Sequence, residues 1–224
     1  MSTVIETPTQ KRLSKEQIDA WRPVTSAIAA DQLGGRAHVD ARIRPIRPLS
    51  GAKLIGNAVT AWCEPADYGP VHHAIAVAEA GDVIVIAAGG RCDAALIGEL
   101  LSTAARRKGI AGVVVDGAIR DVATVAQWPD FQVYTRWITS RGPSTMERGM
   151  VDGPVIFGGV RVAPRDLVLG DDDGLVIVPN LLVDSKLKSC IDRLNSEIGW
   201  EEALVSGRST LDVFNVPPAV RASN

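Results

Sequence analysis

Two short segments carry the residue types that could do chemistry together. The first is Gly98-Glu99-Leu100-Leu101 and the second is Arg120-Asp121, with twenty residues (100–119) between Glu99 and Arg120. An arginine fork can clamp a carboxylate through two parallel hydrogen bonds. An aspartate offers the hard oxygen that Mg²⁺ or Mn²⁺ prefers. If a helix begins near Gly98, its first amides are free and its dipole is positive there, a setting that attracts an anionic group. The bland alternatives are a surface ion pair for Arg120-Asp121 and a mid-helix packing position for Gly98.

The elements around these segments read as a βαβ unit. Residues 83–87 (Val-Ile-Val-Ile-Ala) form a wholly apolar run, as expected for a strand covered on both faces. A glycine loop at Gly89-Gly90 follows. Residues 94–108 have helical periodicity and stop at Gly109, although a start at Gly98 stays open. Residues 112–115 read as the next buried strand, and Asp116-Gly117 as a tight turn leading into Arg120-Asp121. Such a unit aligns two strand ends on one side of a sheet, where ligands of open α/β sheets usually sit.

Before this unit, residues 1–13 are polar and aperiodic and read as a flexible N-terminus, without the apolar core of a signal peptide. Ser14 with Gln17 fits a capping box, and residues 25–33 read as a second short helix stopped by Gly34-Gly35. Residues 37–48 read as irregular and extended. Residues 53–63 read as a strand, and residues 71–80 as a helix carrying His72 and His73.

After the unit, residues 122–127 read as a helical turn and 131–135 as a strand. Residues 155–162, 167–169 and 175–178 read as an antiparallel meander. Residues 181–205 form the C-terminal helix. Parallel and antiparallel pieces in one chain suggest two sheets packed face to face with helices outside. Residues 14–224 are expected to form one domain.

Composition narrows the class. The chain has 224 residues, 46% of them hydrophobic and 22% charged, with a formal net charge of −2. It has core enough to fold without metal or disulfide staples, and a near-neutral balance with no basic block predicts neither nucleic-acid nor membrane-surface binding. Three scattered cysteines suggest a reducing compartment, so a cytoplasmic location is expected. Other attractive residues read as bland. Adjacent histidines His72-His73 cannot share one helix face toward a metal. Asp171-Asp172-Asp173-Gly174 lacks the downstream glutamate of a calcium loop and reads as a solvated turn, and Cys92 has no neighbouring base.

Taken together, Gly-Glu-Leu-Leu at 98–101, Val-Val-Val-Asp-Gly-Ala-Ile-Arg-Asp at 113–121, residues 53–60, Gly81-Asp82-Val83, Phe157-Gly-Gly-Val and the 170–179 segment Gly-Asp-Asp-Asp-Gly-Leu-Val-Ile-Val-Pro resemble one family. It is the ribonuclease-activity-regulator A family, and more narrowly its branch of 4-hydroxy-4-methyl-2-oxoglutarate and 4-carboxy-4-hydroxy-2-oxoadipate aldolases. The likeness spans roughly residues 25–210. It implies a three-layer β/β/α swivelling-domain-like fold with N- and C-terminal helices. It implies a homotrimer or homohexamer with sites between subunits, and a divalent-metal-dependent pyruvate aldolase with oxaloacetate decarboxylase side activity.

By the same resemblance, Asp121 binds Mg²⁺ or Mn²⁺ and Arg120 contacts the 2-oxo acid substrate. The backbone amides of Gly98, Glu99, Leu100 and Leu101 hold the substrate carboxylate. Glu99 stands where the aldolases usually have aspartate. Being one methylene longer, it suits contact with the metal through water. A glutamate from the neighbouring subunit's C-terminal helix is implied as a further contact, with Glu197 or Glu201 as candidates. The runner-up implied by the family is a non-catalytic regulator that binds ribonuclease E through protein contact. The aspartate kept at Asp121 favours the enzyme. A methyltransferase reading finds no glycine-rich nucleotide loop after the first strand.

Overall fold

A computed structural model describes residues 2–35, 37–64 and 67–221. Part of the N-terminal stretch expected to be flexible lies on the body of the protein. Strand β1 (Val4–Ile5) pairs in parallel with residues 150–151, and Glu6 N–H donates to the Val151 carbonyl at 2.9 Å. Leu13 is buried, and its N–H donates to Asn57 Oδ1 at 2.8 Å. Helix α1 (Lys15–Ala20) starts with the expected capping box, in which Ser14 and Gln17 satisfy each other's backbone N–H. Helix α2 (Ser26–Gln32) is capped by Thr25, and Gly34 and Gly35 take the positive φ that ends it. A short strand β2 (Arg44–Pro45) interrupts the irregular segment that follows.

The site-bearing half comes next. Its elements are β3 (Leu54–Cys63), α3 (Gly69–Val77), β4 (Val83–Ala87), β5 (Ala95–Ile97), α4 (Glu99–Arg107), β6 (Gly112–Ile119), α5 (Val122–Val125) and β7 (Gln132–Ile138). Strands β3, β4, β6 and β7 lie side by side in parallel. All five residues of β4 and all eight of β6 are buried, which is why these runs are apolar on both faces.

Two expectations are corrected here. The helix expected from residue 94 begins at Glu99, because residues 95–97 pair with the end of β6 (Ala95 opposite Ala118) and Gly98 is the extended N-cap. The turn expected at Asp116-Gly117 is strand. The β6–β7 ladder shifts register between Val115 and Ala118 and then continues. The Asp116 carboxylate explains the continuation. It is buried, accepts from Gly158 N–H at 2.8 Å and pairs with Arg136 Nε at 2.6 Å, so it has partners inside the fold instead of in a solvated turn.

The C-terminal half holds β8 (Gly149–Val151), β9 (Val155–Phe157), β10 (Val160–Val162), β11 (Leu167–Asp171), β12 (Gly174–Val178), α6 (Val183–Val205) and α7 (Thr210–Val213). The expected meander is divided. Strands β9 and β10 form their own two-stranded sheet, while β11 pairs antiparallel with both β12 and β3. Strand β3 is therefore shared. Its residues 54–57 pair with β11 and its residues 58–62 pair with β4.

Three apolar cores follow from this arrangement. One lies between α3–α5 and the parallel strands, built on Val71, Ala74, Ile84, Ala105 and Val113. A second lies between the two β layers, where Val83, Val85 and Val114 meet Phe157, Val168 and Ile177. The third joins the outer face of β11 and β12 to α1, α2 and α6 through Trp21, Ile28, Leu169, Val178 and Cys190. The result is a β/β/α sandwich with the terminal helices packed on the second β layer. Among the described residues, no helix is long and apolar enough to cross a membrane.

Candidate active site

The pairing of β5 with β6 brings the two chemical segments together. Arg120 N–H donates to the Ile97 carbonyl at 3.1 Å, so the chain leaves both strands at one place. Gly98 and Arg120-Asp121 are then neighbours in space. A Cβ on Gly98 would sit 2.4 Å from Asp121 Oδ2 and 2.9 Å from Arg120 Cγ. Its backbone is ordinary extended chain (φ −144°), so glycine is required there for room, not for conformation.

Asp121 has φ +59° and occupies the N-cap of α5, yet its carboxylate makes no cap to that helix. It turns instead to α4, where Glu99 N–H donates to Asp121 Oδ2 at 3.0 Å. A carboxylate thus rests on the positive end of α4. The next first-turn amides, Leu100 and Leu101, have no acceptor within the helix. Arg120 Nε lies 3.6 Å from Asp121 Oδ2, with both side chains about two-fifths exposed (43% and 42%). An ion pair so open to water contributes little to stability. A Cβ on Gly142 would come within 2.6 Å of Arg120 Nη1, so the guanidinium rests against that loop. Ala95 N–H fastens the loop by donating to the Arg141 carbonyl at 2.8 Å.

Gly98, Glu99, Leu100, Leu101, Arg120 and Asp121 all line one cavity of about 260 Å³. The same cavity is lined by Tyr68 and Pro143, which sequence reasoning passed over, and by His72, which it read as bland. The histidines divide as adjacent helical positions must. His72 faces this cavity and His73 borders a different groove beside Met146 and Glu147. The start of α3 is anchored by buried Asp67, whose carboxylate accepts from Gly69, Glu147 and Arg148 N–H and from the Thr145 hydroxyl at 2.8–3.0 Å. Burial pushes this carboxyl up, but those hydrogen bonds outweigh it and hold Asp67 below the usual carboxylate range.

Glu197 is not brought to the cavity of its own chain. It lies on α6, where Arg193 Nε pairs with it at 2.9 Å, and Glu201 lies one turn further along. Among the described residues no group of three or more His, Cys, Asp or Glu side chains could hold a metal ion. Asp121, with Glu99 beside it, offers one or two hard oxygens. Such a donor set fits Mg²⁺, which commonly keeps several waters and takes only one or two carboxylates.

The acidic run at 171–173 forms the expected turn, with Asp172 and Asp173 exposed, but two of its carboxylates also have partners in the fold. Asp171 accepts from Ser26 N–H at 2.7 Å, and Asp172 accepts from Leu49 N–H at 2.7 Å, so these carboxylates tie the β11–β12 turn to its surroundings. A further network passed over by sequence reasoning joins Arg136 to Asp116 and, at 2.8 Å, to Asp40. Arg42 above all, then Arg136, holds the Asp40 carboxyl far below the usual range.

Comparisons with known proteins agree with this architecture. The chain is 32% identical over 188 residues to a protein of Halalkalibacterium halodurans named "Putative 4-hydroxy-4-methyl-2-oxoglutarate aldolase", covering 80% of this chain and 88% of that one. A solved protein of Pseudomonas syringae pv. tomato, uncharacterized, superposes with a TM-score of 0.79 at 24% identity, over 92% of this chain and all of that one. RraAS2 of Streptomyces coelicolor, described as an unusual member of the RNase ES inhibitor RraA protein family, superposes with a TM-score of 0.72 at 30% identity, over 85% and 97% of the two chains. The RraA-like model described as Aldolase/RraA matches residues 16–177, and the chain belongs to that family.

Proposed function

We propose that this protein is a divalent-metal-dependent carbon–carbon lyase that cleaves 4-hydroxy-2-oxo acids, such as 4-hydroxy-4-methyl-2-oxoglutarate, to pyruvate. The observation that carries this reading is the meeting of Asp121, Arg120 and the N-terminus of α4 in one small cavity. The aldolase name of the Halalkalibacterium relative supports it.

In this reading the substrate's 2-oxo carboxylate lies on the first-turn amides of α4 and the fork of Arg120. Asp121, with Glu99 through water, would hold Mg²⁺ or Mn²⁺, which when bound supplies a Lewis acid for the 2-oxo oxygen. A water in the cavity takes the proton of the C4 hydroxyl as the C3–C4 bond breaks, and C4 becomes a carbonyl. The bonding pair passes to C3 and creates a pyruvate enolate. Arg120 stabilises the negative charge that develops on the oxygen of that enolate. The same water returns a proton to C3, which completes the first pyruvate, and with 4-hydroxy-4-methyl-2-oxoglutarate the other fragment is pyruvate too. Loss of CO₂ from oxaloacetate gives the same enolate, so decarboxylation is a side activity. Among the described residues no lysine lines the cavity, which speaks against a Schiff-base route.

The assembly proposed is a homotrimer or homohexamer, in which a glutamate of α6, Glu197 or Glu201, would approach the site of the adjacent copy. Pyruvate release from 4-hydroxy-4-methyl-2-oxoglutarate and from oxaloacetate tests the function. Release that needs Mg²⁺ or Mn²⁺ and stops with a chelator is expected; no release from any 4-hydroxy-2-oxo acid or oxaloacetate sinks the reading.

A second reading, a regulator that binds ribonuclease E, is supported by the description of the Streptomyces relative. Retention of ribonuclease E on the immobilised protein, together with no lyase activity, would select it.

A further inference from the structure

The cavity that holds the α4 N-terminus, Arg120 and Asp121 is also lined by His72 and Tyr68. The rings of these two residues meet at 5.0 Å between centroids with a tilt of 58°. Among the described residues, Arg120 and His72 are the two lining side chains able to carry positive charge. Leu96, Leu101 and Pro143 are among the apolar residues that complete the lining. The tilted contact packs the Tyr68 ring against that of His72. The Asp67 clamp holds the start of α3, and with it Tyr68 and His72, against the 145–148 loop. A cavity of about 260 Å³ admits a short acid and little more.

We propose that His72, packed against Tyr68, reads the far end of the substrate and selects 2-oxo acids that bear a second carboxylate. The inference rests on the 2-oxo acid reading of this cavity. A carboxylate at the head of the substrate uses the α4 amides and Arg120, the carbon chain lies along the leucines and proline, and the distal carboxylate accepts a hydrogen bond from the His72 ring. His72 is then a specificity residue and takes no part in breaking the C3–C4 bond.

Two acids without a 4-hydroxyl group separate binding from cleavage. These are 2-oxoglutarate, with a terminal carboxylate, and 2-oxopentanoate, with a methyl group in its place. Calorimetric titration of the Mg²⁺-loaded wild type should show 2-oxoglutarate binding about tenfold more tightly or better, the value of one charge-assisted hydrogen bond. His72→Ala should remove most of that preference by weakening 2-oxoglutarate alone. His72→Asn, which keeps a donor, should retain part of it. His72 is exposed, so these variants are expected to fold. Equal affinity of the wild type for both acids, or equal weakening of both by His72→Ala, overturns the assignment and leaves the 2-oxo acid reading standing. No binding of either acid overturns both.

Discussion

Asp121 accepts a hydrogen bond from the Glu99 amide at 3.0 Å while standing at the N-cap of a different helix, which it leaves uncapped. The residue adopts a left-handed backbone to do so. Both features turn a carboxylate away from the nearest backbone donors of α5 and toward the start of α4. A side chain serving only local stability would cap its own helix. Replacing Asp121 should therefore cost activity and not fold. Asp121→Ala is expected to fold with a loss of about 1–2 kcal/mol, because it gives up the Glu99 amide contact and places alanine at positive φ. It is also expected to lose Mg²⁺ binding and pyruvate release. Thermal unfolding and calorimetric Mg²⁺ titration on the same samples check this.

Gly98→Ala places a methyl group against both Asp121 and Arg120. Both side chains are partly exposed and can swing aside, so the protein is expected to fold with a small change in Tm. The displaced pair should lower kcat/KM by about 10²-fold, the usual result of a misplacement near 1 Å. Steady-state kinetics decide it, and wild-type activity in a folded Gly98→Ala protein would contradict the close packing described here.

Arg136 and Asp116 form a buried pair, each side chain 7% exposed, at the register shift of β6 four residues before Arg120. Arg136→Met strands the Asp116 carboxylate and should destabilise the protein by about 3–5 kcal/mol. Adding Asp116→Asn should recover part of that loss. Denaturant unfolding of the single and double variants measures both effects.

Asp67 gives a dependence on acid. Its folded pKa is lowered, so its stabilisation is fully present above the unfolded value of about 3.9 and fades as pH falls through the folded value. Asp67→Asn should be less stable than wild type at pH 6, by about 1–3 kcal/mol, because one amide cannot serve all four donors with charge. The gap should narrow toward pH 3. Unfolding curves at the two pH values test the sign.

Much of this architecture is legible in the residues. The apolar runs of β4 and β6, the Ser14 capping box and the Gly34-Gly35 stop carry local signals strong enough to stand alone. Ala95–Ile97 did not, because three apolar residues before a helix fit its periodicity as well as a strand. Their pairing with β6, a contact between segments more than twenty residues apart, decides the matter. Asp116-Gly117 has turn chemistry, and only Arg136 and the Gly158 amide, distant in sequence, make it strand. The twenty-residue gap between Glu99 and Arg120 marked two segments that the β5–β6 pairing sets side by side. The His72 wall had no such mark. Which histidine faces the cavity depends on where α3 begins, and Gly69 starts that helix two residues earlier than periodicity implies.

The most direct test of the central claim is enolate formation from pyruvate itself, which does not depend on the substituent at C4. In deuterated water with Mg²⁺, the methyl signal of pyruvate should fade faster with wild-type protein than in buffer, as protons at C3 exchange through the enolate. Asp121→Ala should abolish the acceleration. Exchange by the Mg²⁺-loaded wild type no faster than by Asp121→Ala would contradict the account.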